Sequence, residues 1–225
     1  MFDFLSKYDD PSLLGAFWVT VQLTVFSAVG SLIWGTLLAA MRVSPVPLMR
    51  GFGTAYVNLV RNIPLTVIIV FTSLGLADIF GVTMGARDNF DLMYFRLAVL
   101  GLVAYTAAFV CEAIRSGINT VPVGQAEAAR ALGLSFSQVL RLVVLPQAFR
   151  SVIGPLANVL IALTKNTTVA ATIGVAEAAF LMKGMIENEA QTLLIGAVFA
   201  FGFVVLTLPT GLILNWLSKR LAVKR

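Results

Sequence analysis

Few side chains in this sequence are equipped to make or break bonds. Histidine is absent and Cys111 is the one cysteine. That removes the commonest general base and metal ligand, every Ser/His/Asp or Cys/His arrangement, and any disulfide within the chain. No glycine-rich P-loop for a nucleotide is present either. Catalysis by this chain alone is therefore not expected, and what remains is the chemistry of recognition. Lys165, Asn166, Thr167 and Thr168 place an ammonium, an amide and two hydroxyls in succession, which together can hold a carboxylate. Arg61, followed by Asn62, offers a planar fork of donors to the same kind of group. A third stretch, Gly124 to Leu134, mixes Gln125, Glu127 and Arg130 with Ala128, Ala129 and Gly133, a combination for contact rather than reaction.

The elements that must position these residues are membrane helices. Of 225 residues, 59% are hydrophobic and only 12% charged, and mean hydropathy is +0.92. A soluble domain carries about 25% charged residues, so the solvent for much of this chain is lipid. The net charge of +5 does not point to nucleic acid, because the basic residues flank long apolar runs instead of forming one patch. A spanning helix needs about 20 mostly apolar residues. Leu13 to Met41, Ala55 to Leu76 and Leu97 to Ile114 meet this; Gln147 to Leu163 is shorter and interrupted by Gly154-Pro155; Thr192 to Leu217 is long enough to tilt. Val169 to Met182 is apolar but too short to cross, and reads as a re-entrant half-span. The residues before Leu13 lack the basic start and the cleavage site of a signal peptide, so the first run is expected to be a retained span.

Five spans leave the termini on opposite sides, and the basic residues choose between the two orientations. With the N-terminus outside, Arg42, Arg50, Arg61, Arg115, Arg130, Arg141, Arg150, Lys219, Arg220, Lys224 and Arg225 fall on the inner side. Only Lys7, Arg87, Arg96, Lys183 and Lys165 stay outside or near it. The C-terminus is therefore expected in the cytoplasm. No separate soluble domain is long enough to fold alone, so residues 1–225 read as one transmembrane domain.

The largest inner segment, about 115–146, is more than a connector. Pro122 and Gly124 punctuate the exit from the third span. Glu127 to Leu132 consists of strong helix formers, Gly133 can stop that helix, Ser135 can cap a second, and Pro146 suits the first turn of the next span. The result is a short helical elbow at the cytoplasmic surface. It can dock into a groove of a cytoplasmic partner or lie on lipid headgroups as an interfacial helix.

The spacing within this elbow resembles a known motif. Glu127-Ala128-Ala129, then Gly133, Val143 and Leu145-Pro146, resemble the EAA loop of bacterial ABC importer permeases, with valine in place of the usual isoleucine. Arg61-Asn62-Ile63-Pro64 resembles the Arg-Gly-Thr-Pro-like stretch of the polar amino-acid permeases, departing from it at Asn62 and Ile63. Lys165-Asn166-Thr167-Thr168 resembles that group's Lys-Asn-Thr-Ser motif. Ala16 to Thr20, Met41 to Pro45, Arg115 to Thr120 and Ile161 to Thr168 resemble actinobacterial glutamate-uptake permeases.

The resemblance implies an all-α membrane protein with five spans and a coupling-helix elbow, the type I ABC importer permease fold. It implies import of a polar amino acid, glutamate first, with glutamine, aspartate or arginine as alternatives. It also implies a cytoplasmic ABC ATPase dimer, a second permease subunit that is a copy or a relative, and an extracytoplasmic solute-binding protein. ATP and magnesium belong on the ATPases, and no cofactor is expected on this chain. The coupling residues carried over are Gly124, Gln125, Glu127, Ala128, Ala129, Arg130, Gly133, Leu134 and Pro146; the substrate-path residues are Arg61, Asn62, Lys165, Asn166, Thr167 and Thr168. Beside the path reading, Lys165 can snorkel to the interface, and Arg61 can anchor the inner surface or pair with Glu112, the reading preferred for it. An ion-coupled secondary transporter is the rival of a different class, with Glu112 and Glu177 the only carboxylates near membrane depth and no repeated halves to support it.

Overall fold

In chain order the helices are α1 (Leu13–Val43), α2 (Pro47–Arg61), α3 (Leu65–Val70, prolonged by wider π-type turns over Phe71–Ile79) and α4 (Phe90–Asn119). There follow α5 (Val123–Ala131), α6 (Phe136–Val139), α7 (Leu145–Asn166), α8 (Ala178–Glu189) and α9 (Thr192–Leu221). Turns of π type over Leu140–Val144 join α6 to α7, and a 3-10 stretch, Thr167–Ile173, prolongs α7. This computed structural model describes residues 12–189 and 191–221. Lys7, Lys224 and Arg225, which enter the orientation argument, lie outside the described residues. No strand occurs among the described residues.

Ser12 opens α1 by accepting the Gly15 N–H at 3.1 Å, a serine N-cap. The buried positions of α1 are Ala16, Thr20, Leu23, Ser27, Ser31, Gly35 and Leu38, recurring at the three- and four-residue spacing of one helix face. Most are small, and small residues let two backbones approach where lipid provides no hydrophobic drive. That face packs along α4, and α4 in turn packs on α7. A Cβ at Gly35 meets Val110 at 2.6 Å and the Ala107 carbonyl at 2.8 Å. Because the backbone of α4 cannot yield as a side chain can, Gly35→Ala is expected to destabilise the purified chain by about 1–3 kcal/mol, read as a lowered Tm. The same change at Gly51, where nothing lies within 4 Å, should leave Tm unmoved.

Among the described residues, four helical segments are long and apolar enough to cross a membrane: Leu13–Val43, Phe90–Asn119, Phe136–Ile173 and Thr192–Ile213. The expected second span, Ala55 to Leu76, is not straight. Pro47–Arg61 and Leu65–Ile79 meet at a bend of 106°, so the fifth crossing is a bent pair. The cause lies in Asn62-Ile63-Pro64: Pro64 has no N–H to donate, and the residue before a proline is forced out of the helical region. Neither arm spans alone, since Leu65–Ile79 rises only about 22 Å.

Two further expectations are corrected. Gly154-Pro155 does not interrupt the fourth span; α7 runs through Pro155, as membrane helices tolerate when neighbours pack around the break. Val169 to Met182 is not one half-span. It divides at Gly174, whose φ of +87° ends the 3-10 stretch, and α8 begins at Ala178 and packs on α9 and α1. Leu23, Leu65, Ile69, Leu102, Leu163 and Val175 form one core cluster among α1, α3, α4 and α7. Ala16, Leu181, Met185, Ile195 and Phe199 form another where α8 and α9 meet α1.

Candidate functional site

The elbow is built from two matched helix ends. At the close of α5 the Gly133 N–H donates to Arg130 O at 2.9 Å and the Leu134 N–H to Ala129 O at 3.2 Å. With Gly133 at φ +84°, this is the Schellman arrangement that satisfies the last carbonyls of a helix. Ser135 then starts α6 with a capping box: Gln138 N–H donates to the Ser135 hydroxyl, and Ser135 N–H donates to Gln138 Oε1 at 2.8 Å. Only Leu134 and Ser135 separate the left-handed residue from the new helix, so the angle of α5 to the α6–α7 rod is firmly set. Gln147 Nε2 reaches Gln125 Oε1 at 2.5 Å, which ties α5 to the base of α7. Pro146 lies within the continuous rod, directly after the π-type turns Leu140–Val144 where the regular helical hydrogen bonding is already altered.

The face this geometry presents is mixed. Ala129 is buried, while Gly124, Gln125, Glu127, Ala128, Arg130 and Gly133 are exposed. Val123 is 72% and Leu132 84% exposed. Glu127 and Arg130 form no ion pair among the described residues. Small residues, two free charges and a few bare aliphatic side chains make a surface for a partner groove.

A second feature lies deeper, between α4 and α7. Tyr105, Thr106, Phe109, Asn158, Val159, Ala162 and Asn166 line a cleft of about 290 Å³. Thr106 is 3% exposed and its hydroxyl has no partner among the described residues. The Arg61 guanidinium lies 5.6 Å from the centre of the Phe109 ring, within cation–π range, and one helical turn further Glu112 receives two arginines. Arg42 donates directly to Glu112 Oε1 and is only 7% exposed; Arg61 stands 3.7 Å from Oε2 and is 44% exposed. The preferred pairing of Arg61 with Glu112 is thus present, and Arg42 is a second and closer partner. Since one short contact already neutralises Glu112, Arg61 keeps unspent donors beside the cleft.

Of the six path residues, the structure brings Asn166 into the cleft and Arg61 to its margin. Asn62 donates instead to Asn58 O at 2.6 Å, at the bend. Lys165 is exposed and outside the cleft lining. Thr167 and Thr168 spend their hydroxyls on the carbonyls of Thr164 and Lys165, each at 2.8 Å. Sequence reasoning missed Tyr105, Thr106 and Asn158. A signal existed for the last: Asn158, Ala162 and Asn166 repeat every four residues, one stripe along α7. A larger groove of about 860 Å³ lies between α1 and α4, with Gln22, Phe26, Asn89, Asp91, Phe95 and Arg96 among its walls.

The chain as a whole is similar to known proteins. The glutamate transport system permease protein GluC of Corynebacterium efficiens is 58% identical over 219 residues, covering 96% of each chain. Its counterpart in Corynebacterium glutamicum is 56% identical, again over 96% of each. Among solved structures, the crystal structure of an amino acid ABC transporter with histidines has a chain that superposes with a TM-score of 0.84 at 26% identity. That alignment covers 96% of this chain and 98% of the other. The family described as the inner membrane component of binding-protein-dependent transport systems matches residues 15–223. With that match over nearly the whole chain and 58% identity to GluC, the chain belongs to that family of importer permeases.

Proposed function

We propose that this chain is the translocating subunit of an ATP-driven importer for a polar amino acid, with L-glutamate as the solute. The observation that carries the solute is the 58% identity with GluC along nearly the whole of both chains. The cleft agrees in chemistry: amides, hydroxyls and a nearby guanidinium suit an α-carboxylate and a polar side chain. Orientation follows the basic residues, with the N-terminus outside and the elbow and C-terminus in the cytoplasm. The elbow, through Glu127, Ala128, Arg130, Gly133 and Leu134, docks on one member of an ATPase pair, while a second permease subunit completes the path. An extracytoplasmic binding protein delivers the solute. ATP and magnesium are held by the ATPases, so this chain binds no cofactor. Closure of the ATPases pushes the elbow, and the rod of α6–α7 carries that motion to Asn158 and Asn166.

Uptake of labelled glutamate by cells with and without the chain tests the reading. Loss of uptake on deletion, with competition mainly by unlabelled glutamate, is the expected result. Uptake that persists without the chain overturns the assignment of glutamate. Uptake that fails when a proton gradient is collapsed at constant ATP overturns the ATP-driven mechanism.

A further inference from the structure

Glu177 is 0% exposed, and no ion pair to it is formed among the described residues. It lies where α8 begins, beside the apolar cluster of Ala16, Ala178, Leu181 and Phe199. A carboxyl group in such a place costs about 2.5–3.5 kcal/mol on insertion scales and needs a use. Its contacts define one. Oε1 accepts the Phe180 N–H at 3.0 Å, serving as the N-terminal cap of α8. Oε2 lies 3.3 Å from the Thr20 hydroxyl, across 157 residues of chain, and shares its one proton with the Ala16 carbonyl of the same helix at 3.2 Å. The same Thr20 oxygen accepts the Ala178 N–H at 3.2 Å. Two orphan donors of α8 and one hydroxyl of α1 are therefore satisfied in a single closed knot.

What this knot holds is the continuation of the cleft wall. From Asn166 the chain runs through the 3-10 stretch Thr167–Ile173, turns at Gly174 and reaches Glu177 within a few residues. Ala170 and Val175 are seated in the core between these points, so little slack is left. The near end of the segment is a cleft residue; the far end is joined to α1 by apolar packing around Ala16 and Leu23 and by these directional polar contacts set within it. Such contacts are strong because their alternative, an unsatisfied carboxylate or amide, is poor.

We infer that Glu177 and Thr20 are positioning residues for the solute path: their knot pins the segment 166–177 to α1 and thereby fixes where Asn166 stands in the cleft. The inference rests on the cleft being the path, so its test has one arm that needs no transported solute. In the assembled transporter, with Cys111 replaced by serine, Asn166→Cys serves as the reporter and its labelling rate by a small maleimide is measured. Glu177→Ala and Thr20→Val should each change that rate about fivefold, as for loss of one buried hydrogen bond. The double variant should change it no further, and Glu177→Gln, which keeps one acceptor for the Phe180 N–H and can donate its amide to Thr20 Oγ1 while Thr20 donates to Ala16 O, should stay closer to the parent than Glu177→Ala. In the unlabelled Asn166 background the same variants should raise the KM of glutamate uptake about fivefold, with basal ATP hydrolysis unchanged. Rates unaltered by Thr20→Val, or effects that simply add in the double variant, overturn the inference. If Glu177→Ala does not assemble, Thr20→Val decides alone, because it preserves shape and removes only the hydroxyl. If the parent takes up no glutamate, the labelling arm still judges the knot while the solute assignment falls.

Discussion

Gly133→Val is expected to reduce ATP-driven uptake at least about tenfold while the chain still reaches the membrane. No atom lies within 4 Å of a Cβ placed at Gly133, so the substitution meets no clash. Its cost is in the backbone. At φ +84° a β-branched residue is strained by about 1–2 kcal/mol, which leaving the left-handed region relieves. Leaving it breaks the Gly133 N–H to Arg130 O and Leu134 N–H to Ala129 O bonds and swings α5 against α6. The penalty to overall stability is small, but the exposed face of Glu127, Arg130 and Leu132 no longer points where a partner groove can receive it. Gly133→Asn, which tolerates the left-handed conformation, should retain most uptake. Co-purification of the ATPase, measured beside uptake and chain abundance, separates a docking fault from poor folding. Normal uptake and normal co-purification in Gly133→Val would show that the elbow does not couple.

The elbow is also the part of the site most readable from sequence, for a physical reason. Its caps are local: Gly133 after a run of helix formers, and Ser135 three residues before Gln138, each act on neighbours within one turn. The spans were legible because hydropathy is summed over a window. The 106° bend was written in Pro64, yet the apolar run from Ala55 to Leu76 continues across it, and hydropathy is blind to direction. The cleft was only half legible. Asn166 stood out within a motif, whereas Thr106 and Asn158 face each other only because α4 packs on α7. Thr167 and Thr168 show another limit of sequence: a helical hydroxyl can donate to its own backbone, and these do, which no motif reveals. The Thr20–Glu177 contact depends on tertiary packing between distant segments, which no local pattern encodes.

Glu112→Ala is the substitution expected to cost most in stability. It leaves Arg42, 7% exposed, with a buried charge and no carboxylate. Removing one partner of a buried pair costs about 3–5 kcal/mol, and because Glu112 itself is 31% exposed the low end of that range applies. Arg61→Ala removes the other contact, but that contact is 3.7 Å long from a side chain 44% exposed. Its loss should cost at most about 1 kcal/mol. Thermal unfolding of the purified transporter should therefore rank Glu112→Ala far below Arg61→Ala, with Glu112→Gln between them because its amide oxygen still accepts from Arg42. Equal costs for Glu112→Ala and Arg61→Ala would contradict the unequal sharing of Glu112. The paired change Arg42→Met with Glu112→Leu removes both charges together, and such replacements are often neutral or stabilising. If that pair regains the lost Tm but uptake stays low, Arg61 has lost the counter-charge that orients it over Phe109. The cluster then serves the path as well as the fold. If uptake returns with Tm, the two arginines and Glu112 hold the ends of α1, α2 and α4 together, and the solute is received by the cleft alone.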